Sequence, residues 1–262
     1  MIDMKYELIN YGFFYADGGA MFGAVPKRAW KRRYASDEQN RCLLAIRGLL
    51  VRVGARVVLV DCGVGQKPDK RLSYYQWKEN LPIGEVFSSV GITPEEVTDV
   101  ILTHLHFDHC GGATYRDSQG EIVPQFPNAV HWTSRRHWEH AMNPSLLEAD
   151  SFFRENVEVL LRQQLIRFVD GDTSIGDGIT LYECDGHTVG QLAPLFVGEE
   201  GVVLFPGDVI PIAAHHSAVW ISAYDIEPLK SLQSKQRLLD VARATNATLV
   251  YCHDAYKPES KL

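Results

Sequence analysis

The densest chemistry in this sequence lies in Thr103-His104-Leu105-His106-Phe107-Asp108-His109-Cys110-Gly111-Gly112. Four side chains able to bind a metal, His104, His106, Asp108 and His109, fall within six positions. They follow Asp99-Val100-Ile101-Leu102, an apolar run that reads as a buried strand. In an extended chain His104 and His106 point to the same side. Asp108 and His109 come where the chain must leave the strand and turn. Gly111 and Gly112 then let the backbone bend close to whatever the four ligands hold. Imidazole and carboxylate together suit a borderline divalent ion such as zinc. The competing reading, a polar loop with coincidental histidines, leaves that density unexplained.

The same arrangement recurs along the chain. Arg56-Val57-Val58-Leu59-Val60 ends in Asp61. Gly178–Cys184 leads into Asp185-Gly186-His187-Thr188, Gly201–Phe205 into Pro206-Gly207-Asp208, and Ala247–Cys252 into His253-Asp254. Five predicted strands therefore end in an acid or a histidine: Asp61, His104, His187, Asp208 and His253. The carboxyl ends of strands are where α/β sheets place their sites. One dense motif with four strand-end partners forms the closed ligand set that two metals require.

The remaining elements must position these ends. Residues 42–60 read as β-branched and leucine-rich runs broken at Gly54, a meander or hairpin. Thr93-Pro94-Glu95-Glu96 is a capping box with proline at N1, opening a short helix before the central strand. Residues 113–128 read as loop and 129–132 as a short strand. Thr133 can cap a helix towards Asn143-Pro144, and residues 145–168 continue helically, with Leu146, Leu147, Phe152, Phe153, Val157, Leu160 and Leu161 near helical spacing. Pro228 starts another helix. His131, His137 and His140 read as ordinary core or surface histidines. No linker or composition shift divides residues 1–262, so one domain is expected.

Residues 6–30 mix aromatics, glycine and methionine without a clean period. They read as a strand and an ordered loop, either edge packing or an apolar flap, within residues 1–35, over a substrate pocket. Lys27, Arg28, Lys31, Arg32 and Arg33 read as a solvated basic face before a phosphate patch.

Composition narrows the class. The chain is 45% hydrophobic with a net charge of -7, which suits a soluble protein with a sizeable core and opposes a nucleic-acid partner. The N-terminus lacks the layout of a signal peptide, and no apolar run approaches membrane-spanning length, so a cytoplasmic protein without membrane contact is expected. Five cysteines without a CxxC pair suggest neither a disulfide framework nor a thiolate zinc site, and they read as small buried hydrophobes.

Taken together, His104-x-His106-x-Asp108-His109, Gly186-His187-Thr188, Gly207-Asp208, Cys252-His253-Asp254 and the Asp61 motif resemble the metallo-β-lactamase superfamily, over nearly the whole chain. The resemblance implies an α/β fold, a four-layer αββα sandwich with an internal pseudo-repeat and two metals at one edge between the sheets. It also implies the ligands: His104, His106 and His187 for one metal, Asp108, His109 and His253 for the other, Asp208 bridging, and Asp61 orienting the ligand loop by hydrogen bonds. True β-lactamases lack a bridging aspartate, so Asp208 with His109 points away from antibiotic hydrolysis. Flavodiiron members carry Glu where His106 stands, so zinc is expected in place of a redox iron pair.

Finer similarity is to the N-acyl-homoserine lactonase and methyl parathion hydrolase-like branch. The stretches from Asp17 to Lys27, from Trp220 to Asp225 and from His253 to Tyr256 carry it. That branch places a tyrosine three residues after the bridging aspartate, against the substrate carbonyl; here the position is Pro211. Tyr224, His215 or His216 are the candidates to substitute. Met21, Phe22 and Trp220 would give an apolar groove for an acyl chain.

The chemistry so implied is a lactone opened by a metal-bridging hydroxide, with two ions roughly 3.5–4 Å apart lowering the pKa of the water towards about 7. Asp208 bridges, and Asp108 also shuttles a proton. A phosphotriesterase or other phosphoesterase on the same metals is the alternative, and a non-catalytic metal-binding protein a third reading. The expected partner is a small-molecule substrate, with a homodimer left open.

Overall fold

The computed structural model describes residues 2–67 and 70–262. Its organisation follows from alternation along the strands. In β2 (Arg41–Val53), Leu44, Ile46 and Leu50 face one core while Leu49, Val51 and Val53 face another. In β3 (Arg56–Val60), Leu59 faces the first and Val58 and Val60 the second. Strands buried on both faces belong to a sheet covered on both sides.

That first sheet has seven strands in the order β4-β1-β2-β3-β5-β8-β9. β1 is Met4–Asp17, β4 Glu79–Asn80, β5 Asp99–Ile101, β8 Val130–Ser134 and β9 Ile166–Val169. β1, β2 and β3 are antiparallel; β3, β5, β8 and β9 run parallel. A separate hairpin is made by β6 (Thr114–Arg116) and β7 (Ile122–Pro124). The second sheet has β10 (Thr173–Gly176), β11 (Ile179–Cys184), β12 (Gln191–Gly198), β13 (Gly201–Leu204), β14 (Thr248–Val250) and β15 (Glu259–Ser260) in sequence order. Here too an antiparallel run, β10 to β13, is followed by a parallel pair, β13 and β14.

Ile179, Leu181, Leu192, Phe196, Val203 and Val250 meet Leu49, Val51, Val58, Val60 and Ile101 of the first sheet, forming the middle core. The outer face of the second sheet, with Ala193, Leu195, Leu204 and Leu249, packs on Leu238, Leu239 and Ala242 of α7 (Pro228–Thr245). The outer face of the first is covered by α1 (Gly18–Phe22), α2 (Lys27–Trp30), α3 (Ile83–Ser89), α5 (Arg135–Met142) and α6 (Glu158–Arg162), through Phe22, Trp30, Phe87, Trp138 and Leu160. The result is helix, sheet, sheet, helix.

Several local expectations change. The capping box at Thr93 forms, but it opens a 3-10 turn, Pro94–Glu96. β8 runs on through Thr133, and Ser134 caps α5 by accepting from His137 N at 2.9 Å. Residues 113–128 contain the β6–β7 hairpin. Residues 145–168 are not one helix but two 3-10 turns, Ala149–Ser151 and Arg154–Asn156, then α6 and β9. Leu146 faces solvent and Leu147 is exposed at the rim of the site cavity, while Phe153, Val157 and Leu160 are buried. Apolar spacing alone did not separate short turns from a helix. All five cysteines are free and buried, and the five basic residues of 27–33 are exposed. Among the described residues, no helix is long and apolar enough to cross a membrane.

Candidate metal centre

The site is assembled from strand ends, beginning with Asp61. Directly after β3, its backbone turns to φ 56°, a left-handed conformation that aspartate tolerates better than most residues. The turn aims a fully buried carboxylate at the end of the neighbouring β5. There it accepts from Thr103 N and Thr103 Oγ1, each at 2.8 Å, and from His109 Nδ1 at 2.8 Å. With its proton given to Asp61, Thr103 Oγ1 is left to accept from His104 Nδ1 at 3.0 Å. One carboxylate thus orients two imidazoles.

After Thr103 the chain makes α4 (Phe107–Cys110). Gly111 and Gly112 serve close approach: a Cβ on either would lie 2.1 Å from a carbonyl oxygen, that of Val64 or Cys62. They lock the ligand loop onto the loop after Asp61, a different role from bending towards a metal. His137 holds the loop from the other side. Its Nε2 accepts from Leu105 N at 2.7 Å and its Nδ1 donates to Val189 O at 2.7 Å.

The expected ligands converge. His187 Nε2 lies 3.2 Å from Asp208 Oδ2 and 3.2 Å from His106 Nδ1. His253 Nε2 lies 3.2 Å from Asp208 Oδ1 and 3.5 Å from Asp108 Oδ2. His109 Nε2 is 3.4 Å from Asp208 Oδ1 and 3.7 Å from Asp108 Oδ2. Among the described residues, His104, His106 and His187 bring one ligand atom each within 4.8 Å of one another, as do Asp108, His109 and His253, and also His104, His109 and Asp208.

Each imidazole is also held from outside. His104 has Thr103, His109 has Asp61, His187 Nδ1 meets Asp225 Oδ1 at 3.2 Å, and His253 Nδ1 donates to Ala45 O at 2.8 Å. His106 Nε2 meets Glu148 Oε2 at 3.4 Å. Outer partners of this kind fix the tautomer and ring orientation of metal-binding histidines.

The electrostatics are those of a cation site. Burial, followed by the neighbouring imidazoles, pushes His104 well below the usual histidine range. Burial alone would also lower His109, yet Asp108, Asp208 and Asp61 raise it to about 10. Burial would raise Asp208, but His253, His109 and His187 hold it well below the usual carboxylate range. His104 Nε2 and His109 Nε2 are buried and have no hydrogen-bond partner among the described residues. Buried nitrogens left unpaired are costly. Their inward aim, beside two carboxylates, fits divalent metal ions.

A cavity of about 190 Å³ opens over Asp108, Asp208, His106, His187 and His253. Its apolar wall includes Phe14, Met21, Leu44, Phe107 and Leu147, and its polar wall Tyr75, Glu148, Ser151, Tyr224 and Asp225. Pro211 also lines it. Met21 and Tyr224 thus line this cavity. Phe22, His215 and Trp220 do not: Phe22 is fully buried and stacks on Trp30 at 4.7 Å, with His215 edge-on at 5.3 Å and Trp220 at 6.0 Å behind it. His216 turns away to Tyr251. Sequence reasoning missed Glu148 and Asp225 as outer partners and Tyr75 as a cavity wall; Phe14, another wall, belongs to the stretch 6–30 that reads as edge packing or a flap over a pocket. Asp225 sat within a stretch noted for its resemblance; Glu148 carried no signal beyond its charge.

The pattern of the metallo-beta-lactamase superfamily matches residues 48–253. The chain belongs to the metallo-beta-lactamase superfamily. Within it, the chain is 29% identical over 171 residues to N-acyl homoserine lactonase AttM of Azorhizobium caulinodans, covering 63% of this chain and 61% of that protein. It is 26% identical over 181 residues to N-acyl homoserine lactonase AiiA of Bacillus thuringiensis subsp. kurstaki, covering 68% and 64%. The match thus spans somewhat under two thirds of these relatives' lengths. Among solved structures, a probable metal-dependent hydrolase from Staphylococcus aureus superposes with a TM-score of 0.91 at 26% identity, over 99% of this chain and 92% of that one. AidC, a dizinc quorum-quenching lactonase, shares the fold with a TM-score of 0.81 at 18% identity, over 99% and 90%.

Proposed function

We propose that this superfamily member is a zinc-dependent hydrolase that opens lactone rings of the N-acyl-homoserine type. The observation that carries the reading is the convergence of five inward-aimed imidazole nitrogens and two carboxylates beneath a cavity with one apolar and one polar wall. His104, His106 and His187 would hold one ion, Asp108, His109 and His253 a second, and Asp208 would bridge them. Bound there, the pair would supply a water of lowered pKa as nucleophile and an electrophile for the carbonyl oxygen.

The chain's own residues do the rest. Asp108, whose carboxylate is 12% exposed beside His253 and His109, would take a proton from the cavity. Met21, Phe14 and Leu147 offer an apolar surface to an acyl chain. Of Tyr224, His215 and His216, only Tyr224 lines the cavity, so it is the candidate to meet the substrate carbonyl in place of the residue at Pro211.

Pro211 also favours a second reading, hydrolysis of phosphotriesters on the same centre, because that chemistry needs no hydroxyl there. The test is a panel of N-acyl-homoserine lactones and phosphotriesters with zinc-loaded protein. The expected result is a ring-opened acyl-homoserine, lost on chelation and restored by zinc. Phosphotriester turnover without lactone turnover would select the second reading, and neither would overturn both.

A further inference from the structure

His106 differs from the other four imidazoles of the centre. His104, His109, His187 and His253 bond outward through Nδ1 and turn Nε2 inward. His106 does the reverse: Nδ1 faces His187 Nε2 at 3.2 Å and Nε2 faces outward. A ring flip would put a carbon where the inward nitrogen stands, so something must select this orientation. The outward nitrogen meets Glu148 Oε2 at 3.4 Å, and the other carboxylate oxygen, Oε1, bonds His140 Nε2. Glu148 is only 5% exposed. Phe152 packs its ring 4.7 Å from that of His106, closing the space into which the imidazole could swing.

We propose that Glu148, backed by His140, is a positioning residue that sets His106 with Nδ1 inward. It would act on the ion that His104, His106 and His187 would hold, and it touches none of the residues proposed for the other ion alone. The proposal rests on the metal-centre part of the functional reading and is independent of the substrate.

The test is zinc titration of metal-stripped protein against a chromophoric chelator, for the wild type, Glu148→Ala, Glu148→Gln and His140→Ala. In Glu148→Ala one ion should keep its wild-type affinity and the other weaken about 10–100-fold, the usual effect of losing an outer partner. Glu148→Gln should recover most of that affinity, because an amide oxygen still accepts from His106 while the amide nitrogen donates to His140. His140→Ala should weaken the same ion less. A Glu148→Ala protein that binds both ions like the wild type, or weakens both equally, overturns the proposal. If the wild type binds a single ion, the dinuclear reading fails, while weakening of that ion in Glu148→Ala still supports Glu148 and unchanged binding removes it. Circular dichroism of the stripped proteins checks folding; should Glu148→Ala not fold, His140→Ala decides by the same criterion.

Discussion

The carboxylate of Asp61 and the imidazole of His109 meet at 2.8 Å across 48 residues, joining the end of β3 to the ligand loop after β5. Because Asp61 also accepts both donors of Thr103, the end of one strand sets the aim of the next strand's ligands.

Asp61→Asn should therefore weaken metal binding more than its small change in shape suggests. An amide can replace one acceptor, but its nitrogen then faces the Nδ1 proton of His109. An affinity loss of about 10–100-fold is expected by zinc competition. Wild-type affinity in a folded Asp61→Asn protein would mean that the loop aims itself.

Asp208→Asn keeps the shape of the residue that contacts His187, His109 and His253 while removing its charge. Turnover should fall by about 100-fold or more with the fold retained, as for other groups that stabilise charge. Near-normal kcat in a folded, metal-replete variant would show that Asp208 does not bridge.

Met21 and Phe22 are neighbours with different outcomes. Met21 lines the cavity, so Met21→Ala should flatten any preference for longer acyl chains, where each buried methylene is worth about 0.8 kcal/mol. Phe22 is enclosed by Trp30, His215 and Trp220, so Phe22→Ala should instead lower stability by about 3–5 kcal/mol. Specificity constants across an acyl series and urea unfolding separate the two. Equal flattening by both variants, without destabilisation by the second, would contradict this placement.

Away from the centre, Asp99 accepts from Arg56 at 2.6 and 2.9 Å, Trp132 Nε1 at 2.8 Å and Thr98 Oγ1 at 2.7 Å. Burial alone would raise its carboxyl, but these donors hold it below the ordinary value of 3.8. The unfolded chain then takes up this proton first on acidification. The stabilisation is complete above the ordinary value and is lost as pH falls through the lower folded one. Asp99→Asn should cost about 3 kcal/mol at neutral pH. The gap to the wild type should narrow below about pH 4 in urea unfolding. A gap that does not change with pH would remove Asp99 as its source.

Much of this candidate centre is legible in the sequence, because metal ligation needs particular side chains and strand ends bring them together. His104, His106, His187, Asp208 and His253 each follow an apolar run, and period-two alternation in β2 and β3 maps directly onto two cores. Asp61 was legible for the same reason. What the sequence does not show is how side chains pack across the fold. Phe22 looked like a lid residue because a phenylalanine between glycines says nothing of the Trp30 face it stacks on. His215 reads as a candidate to meet the substrate carbonyl, and it is buried beside that ring, away from the cavity wall. Glu148 lies in an irregular segment, 145–156, whose apolar spacing imitated a helix, and its pairing with His106 spans 42 residues with no local signature.

Elemental analysis of gently purified protein tests most directly whether these seven side chains hold the two divalent ions proposed for them. The account predicts close to two zinc-type ions per chain, removed by chelation and regained on adding zinc. A reproducible content of one or none, unchanged by added metal, would contradict it.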